Sequence, residues 1–239
     1  MEHAARAIVH RVFVLGIPRS SEPAPLFEET LRAVQASTAS PAYTIVVDNG
    51  DERFAVDGSQ AVVIRPSANV GRAGAWNIVL RLAFETLSVG RAVLLDGDLA
   101  VAPDTFDRML ASQASVVCAH GFSCFRLDEA PWRTVGEFDE EFWPSSFEDA
   151  DYRRRLALAG VPVEEWPIEE HSRAAQGRVT RVTYASGIAH NRTDRHRGWS
   201  ARRVARLRTE LEANRKRYAQ KWGGLPGAET LSTPFNALR

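Results

Sequence analysis

Residues 91–103 read Arg-Ala-Val-Leu-Leu-Asp-Gly-Asp-Leu-Ala-Val-Ala-Pro (RAVLLDGDLAVAP). Ala92 to Leu95 form an unbroken apolar run, the pattern of a strand buried on both faces. The run stops at two aspartates flanking a glycine. Outward from this stretch, helix and strand signals alternate. Downstream, PDTFDRMLAS (103–112) opens a helix with Pro103 and Asp104 at its start. Upstream, AWNIVLRLAFETL (75–87) groups Trp76, Val79, Leu80, Leu82 and Ala83 towards one side of a helix. Before it come AVVIRPSANVGRAG (61–74), a short strand and polar loop, and YTIVVDNGDE (43–52), a strand ending in Asp48. PLFEETLRAVQAS (25–37) has helical spacing, and IVHRVFVLGI (8–17) reads as the first strand. This alternation predicts an α/β domain with a central, mostly parallel sheet flanked by helices. Ligands of such sheets bind beyond the carboxyl ends of the strands, where VVDNG and LLDGD both place their acids.

After Ser112 the alternation loosens. ASVVCAHGFSCFRLDE (114–129) predicts a β-rich excursion, FWPSSFEDADYRRRLALAG (142–160) a turn running into a helix, and VPVEEWPIEEHS (161–172) a strand leading to a loop. Residues 171–200 are polar and carry no clear period. SARRVARLRTELEANRKRYAQKWG (200–223) is a long helix in which Val204, Leu207, Leu211, Tyr218 and Trp222 share an apolar side. Glycines and prolines in GLPGAETLSTPFNALR (224–239) predict an irregular tail. The expected organisation is one domain over 1–224, a nucleotide-binding half at about 8–112 and an acceptor and catalytic half at about 113–224, with 225–239 as tail.

The chain has 239 residues, 44% of them hydrophobic, with thirty acids balancing thirty bases, so net charge points to no partner. Its distribution is more informative. Residues 137–170 hold eleven acids and three arginines, whereas 171–221 hold fourteen bases and three acids. The first block suits a cation and the second an anionic molecule; equally, the two segments can lie side by side. Cys118 and Cys124 are too few for a disulfide framework and read as small apolar fillers. With no signal-peptide pattern and no membrane-span run, a cytoplasmic location is expected, with loose membrane-surface contact as a variant.

Several residues carry potential chemistry. Asp96 and Asp98 repel one another unless a cation lies between them, and oxygen ligands suit Mg2+ or Mn2+; Asp-Gly-Asp is also an ordinary turn. Asp48 is placed to accept hydrogen bonds from a base or ribose. In NVGRAGAWN (69–77), Asn69, Arg72 and Asn77 offer polar groups between strand and helix, and the Arg72 guanidinium matches phosphate oxygens. Neither a Walker A loop nor a Gly-x-Gly-x-x-Gly fingerprint is present. Glu148, Asp149 and Asp151 crowd a helix N-terminus, where Asp149 and Arg153, and Asp151 and Arg155, stand four apart. Such a carboxylate can take a proton from an incoming hydroxyl. Trp143 can stack on a sugar or sit in the core. His171 and His190 compete as a third metal ligand.

Asp48 in VVDNG, then NVGRAGAWN, LLDGD, FDEEFWPSSFEDADYRRRLALAG and a histidine, in this order, resemble the inverting GT-A glycosyltransferases of family 2, especially the bacterial rhamnosyltransferase-like branch. NRKRYAQKWGG (214–224) is similar to the end of many such enzymes. The resemblance implies a nucleoside-diphosphate-sugar donor bound by Asp48, Asn69, Arg72, Asn77 and Asp96, with Arg19 in place of the family's first polar loop. It implies Mn2+ or Mg2+ on Asp98 and His171 (His190 as alternative), Asp149 as general base, and Trp143 and Glu148 on the acceptor side. The HSRAAQG sequence around His171 departs from the family's usual histidine-glycine-serine pattern. A single displacement would invert the sugar. The implied acceptor is a hydroxyl of a small molecule, a glycan intermediate or modified nucleic acid, with an anionic one favoured by the basic segment. The alternatives are a sugar-phosphate nucleotidyltransferase and a non-catalytic nucleotide-binding scaffold of the same fold.

Overall fold

The computed structural model describes residues 12–19, 24–50, 61–176, 179–193 and 201–236. Strands β1 (Val14–Arg19), β2 (Tyr43–Asp48), β3 (Val62–Ile64) and β4 (Arg91–Leu95) pair in parallel in the order β3-β2-β1-β4. The helices between them are α1 (Ala24–Gln35) and α2 (Gly71–Arg81), the latter continuing into a π-helical turn, Leu82–Thr86. β1 thus has β2 on one side and β4 on the other, so the chain reverses its winding direction there. That reversal opens a crevice at the carboxyl ends of β1 and β4.

Burial follows the alternation of strand side chains. Val14, Ala92 and Leu94 face a core with Trp76, Val79 and Leu80 of α2. Phe13, Leu15, Val93 and Leu95 face a second core on the opposite side, with Phe27 of α1. Gly16 sits where β1 and α2 meet: a Cβ there would lie 2.5 Å from Val79 Cγ1 and 2.8 Å from Leu94 Cδ1. Only glycine lets helix and strand approach this closely.

The β-rich excursion is a hairpin of β6 (Val116–Cys118) and β7 (Cys124–Asp128), which extends the same sheet. β7 runs antiparallel to β4, and the two-residue β8 (Glu164–Glu165) closes the order β3-β2-β1-β4-β7-β6-β8. The sheet is therefore mixed and continues across residue 112. Both cysteines are free and buried in it, and burial pushes both thiols far above their ordinary range.

Between β4 and the hairpin lie β5 (Leu99–Ala100) and α3 (Thr105–Ala111). The polar stretch after residue 170 forms strands that periodicity missed: β9 (Glu170–Gln176), β10 (Val179–Tyr184) and β11 (Ala189–Thr193). With β5 they make a second, antiparallel sheet in the order β5-β11-β10-β9. β9 is exposed throughout, so no apolar alternation marks it.

Helices α4 (Glu129–Val135), α5 (Glu148–Leu158) and α6 (Ala201–Trp222) complete the domain. α4 was not expected from the sequence: Pro131 sits within its first turn, where proline is tolerated. In α6, Tyr218 and Trp222 are buried as expected, but Leu211 is 44% exposed and the buried face instead includes Asn214 and Lys221. The side chain of Val204 and residues 8–11 of the expected first strand lie outside the described part. The tail carries one 3-10 turn, Pro234–Asn236.

Candidate active site

At the tip of β1, Arg19 donates to Asp48 at the tip of β2 (2.7 Å), and both side chains are almost fully buried. Parallel register sets Arg19 opposite Asp48. Arg65, just after β3, approaches the other Asp48 oxygen at 3.3 Å. Neighbouring Asn49, which sequence reasoning passed over, shapes the next loop: its amide donates to the Gly71 carbonyl (3.0 Å) and its oxygen accepts from Val70 N–H (3.3 Å). Asn69 Oδ1 accepts from Gly71 N–H (2.8 Å). Gly71 has φ +74°, and a Cβ there would meet Trp143 Cδ1 at 2.9 Å and Pro144 O at 3.0 Å. The loop can approach Trp143 this closely only with glycine at that position.

Arg72 gathers the carboxylates. It donates to Asp96 (2.6 Å), Ser123 Oγ (2.9 Å) and the Phe122 carbonyl (3.1 Å), lies 3.6 Å from Glu148 Oε1, and stacks over Trp76. Burial works to lower its pKa, but Asp96, Glu148, Asp149 and Asp98 together raise it. Four acids from two distant segments therefore act on one guanidinium. All three hydrogen bonds leave from Nη2, while Nε has no hydrogen-bond partner among the described residues.

Glu148 and Asp149 open α5 after a sharp turn in which Ser146 (φ +85°) and Phe147 (φ +74°) both adopt left-handed backbone. Glu148 is fully buried, and neither carboxyl oxygen has a hydrogen-bond partner among the described residues. Burial pushes its carboxyl up to about 7, with Arg72 opposing and Asp149 and Asp96 assisting. A protonated Glu148 limits the negative charge packed around Arg72. Asp149 is partly exposed, with Oδ1 accepting from Ala150 N–H (2.8 Å). Asp151 pairs with Arg155 at 2.9 Å as spacing predicts, whereas Arg153 turns away to Glu165.

After the Asp-Gly-Asp turn the chain enters the second sheet, where Leu99 of β5 pairs with His190 of β11. That register brings His190 Nε2 to 3.1 Å from Asp98 Oδ2. His171 lies elsewhere, exposed on β9, two strands from β11. The strand pairing, invisible in the sequence, separates the two histidines. Asn77 is also displaced from its expected role. It is completely buried, and its amide is spent on Phe138 O (3.0 Å), Phe138 N–H (2.9 Å) and Glu140 Oε1 (2.9 Å), so it braces the segment before α5. Trp143 is 39% exposed at the rim, its indole N–H donating to Asn69 O (3.0 Å) and its ring beneath Arg206.

Asp98 Oδ2 and His190 Nε2 lie within hydrogen-bond distance of each other (3.1 Å), and a carboxylate oxygen beside an imidazole nitrogen is a donor pair of the kind that divalent ions take. Among the described residues no group of three or more His, Cys, Asp or Glu side chains is placed to hold a metal ion. Such a two-ligand set suits an ion whose shell is completed by phosphate and water.

No protein-family model matches the sequence, and no curated protein matches it either. Among solved structures the chain is similar to the mannosyltransferase PcManGT from Pyrobaculum calidifontis, in complex with GDP-Man and Mn2+. That match has 20% identity and a TM-score of 0.50 over 66% of this chain and 55% of the other. It is also similar to S. aureus TarS 1-349, with 12% identity and a TM-score of 0.50 over 64% and 57% of the two chains. The shared feature is the α/β fold, and this chain spans little more than half the length of either structure.

Proposed function

We propose that this chain is a metal-dependent GT-A glycosyltransferase that moves a sugar from a nucleoside-diphosphate sugar to an acceptor hydroxyl with inversion. One observation carries the reading: Arg72 donates to Asp96 (2.6 Å) and lies 3.6 Å from Glu148, which ties the Asp-Gly-Asp turn to the acidic start of α5, at the crevice where the sheet reverses direction. The likeness in fold to a mannosyltransferase solved with GDP-Man and Mn2+ supports it. Assignment to the rhamnosyltransferase-like branch rests on the motif order alone.

Asp48, fixed by Arg19, would face the base or ribose, and the Asn49–Asn69–Gly71 loop would line the diphosphate. Asp98 and His190 would hold Mn2+ or Mg2+, which supplies Lewis-acid neutralisation of the departing diphosphate. Asp96, held by Arg72, would sit beside the ribose and sugar. Asp149, the partly exposed member of the acidic pair, would accept the acceptor hydroxyl's proton as its oxygen attacks the face opposite the leaving group. Trp143 at the rim offers a flat face to the acceptor, and the bases of α6 favour an anionic one.

The test is a panel of nucleotide-sugars with Mn2+, following diphosphate release with and without acceptors. Asp149→Asn is expected to lower transfer by about 10²–10⁴-fold while nucleotide binding persists. Unchanged turnover would remove Asp149 from the role, and pyrophosphate release from a triphosphate would make the chain a nucleotidyltransferase.

A further inference from the structure

We propose that helix α6 is the positioning element of this site: Asn214, Lys221 and Trp222 hold the turn and helix that present Asp149. The inference rests on reading Asp149 as the general base. Asn214 is buried although its neighbours Ala213 and Arg215 are exposed. Its amide nitrogen reaches the carbonyls of Phe142 (2.9 Å), Ser145 (3.0 Å) and Trp143 (3.3 Å). Two N–H bonds serve three acceptors, so the whole donor capacity of the side chain goes to one turn.

That turn needs holding. Ser146 and Phe147 follow it with φ of +85° and +74°, conformations that persist in non-glycine residues only when the surroundings over-determine them. The same turn grips the donor loop: Pro144 O accepts from Arg72 N–H (2.9 Å), and the Trp143 indole donates to Asn69 O (3.0 Å). A second grip lies on the far side of Asp149. The fully buried Asp151 takes the Trp222 indole N–H (2.9 Å) and Lys221 Nζ (2.6 Å) on Oδ1, and Arg155 (2.9 Å) on Oδ2. Lys221 also reaches Asp139 (2.8 Å), before the turn. The two grips bracket Glu148 and Asp149, so α6 acts on the reaction through the backbone that carries them.

Two variants test this. Asn214→Leu keeps the side-chain reach and removes the donors; Trp222→Phe keeps the packing and removes one N–H. Amide hydrogen exchange over 69–76 and 142–152, nucleoside-diphosphate affinity with Mn2+, and kcat with KM are compared with the unmodified chain. The expected result is faster exchange in 142–152, a smaller rise in 69–76 through the Pro144 and Trp143 contacts, and kcat lower by about 10²-fold for Asn214→Leu, with nucleotide affinity falling less than kcat. For Trp222→Phe, the rise is confined to 148–152. Should Asn214→Leu not fold, Trp222→Phe decides by the same readouts. Faster exchange confined to α6, or kcat unchanged while 142–152 loosens, would overturn the inference. If the unmodified chain transfers no sugar, the functional reading falls, while the exchange data still decide whether α6 holds the turn.

Discussion

Glu148 is the residue at which burial and charge compete most openly. Its folded pKa of about 7 lies above the ordinary 4.5, so between these values the folded state binds more protons than the unfolded one. The stabilisation is whole below the ordinary pKa and is lost as pH rises towards 7 and beyond. The loss amounts to roughly 2–4 kcal/mol. Glu148→Gln, which cannot ionise, is expected to gain stability relative to the native chain as pH rises from 4 to 8, measured by urea unfolding; a difference constant with pH would refute the assignment. The histidines give a second test. His190→Ala should lower Mn2+ affinity in the presence of nucleoside diphosphate by about tenfold or more, and His171→Ala should leave it unchanged; the reverse would return the ligand role to His171. The acids were legible in the sequence because strand ends and helix starts announce themselves locally. Which histidine meets Asp98 was not, since that depends on the pairing of β5 with β11 across ninety residues of chain.

At the scale of elements, legibility followed apolar periodicity. The parallel strands are apolar runs buried on both faces and α1 shows one buried face, and their sequences declare it; α2 is buried nearly all round, and the buried side of α5 includes Glu148 and Asp151. β9 shows none, because every one of its residues is exposed. In α6 the spacing offered Leu211 to the core, whereas the helix docks through Asn214, Tyr218, Lys221 and Trp222. Its contact joins an apolar cluster of Phe142, Tyr218 and Trp222 to hydrogen bonds and ion pairs with a buried carboxylate, and a hydrophobic pattern encodes only the first. Asp151 is the centre of that docking. Asp151→Asn would leave Arg155 without its counter-charge and Lys221 with Asp139 alone, a change expected to cost about 3–5 kcal/mol in urea unfolding. A loss below about 1 kcal/mol would class the network with exposed ion pairs.

Over the whole molecule, the segregated charges prove in part to be an internal contact. Arg217 reaches Asp139 and Glu141, and Lys221 reaches Asp139 and Asp151, so the end of the basic segment lies against the acidic one. Other bases of α6, such as Arg208 and Lys216, are exposed. Among the described residues no helix is long and apolar enough to cross a membrane. The proposed function requires one crevice in which Asp98 and His190 would face Asp149 across a nucleotide. Anomalous diffraction at the manganese edge, from crystals grown with Mn2+ and a nucleoside diphosphate, addresses it directly. The proposed function predicts one strong peak between the Asp98 carboxylate and His190 Nε2, with the diphosphate beside it and Asp149 open to the same cavity. A peak at His171, or a nucleotide seated outside the carboxyl ends of β1 and β4, would contradict it.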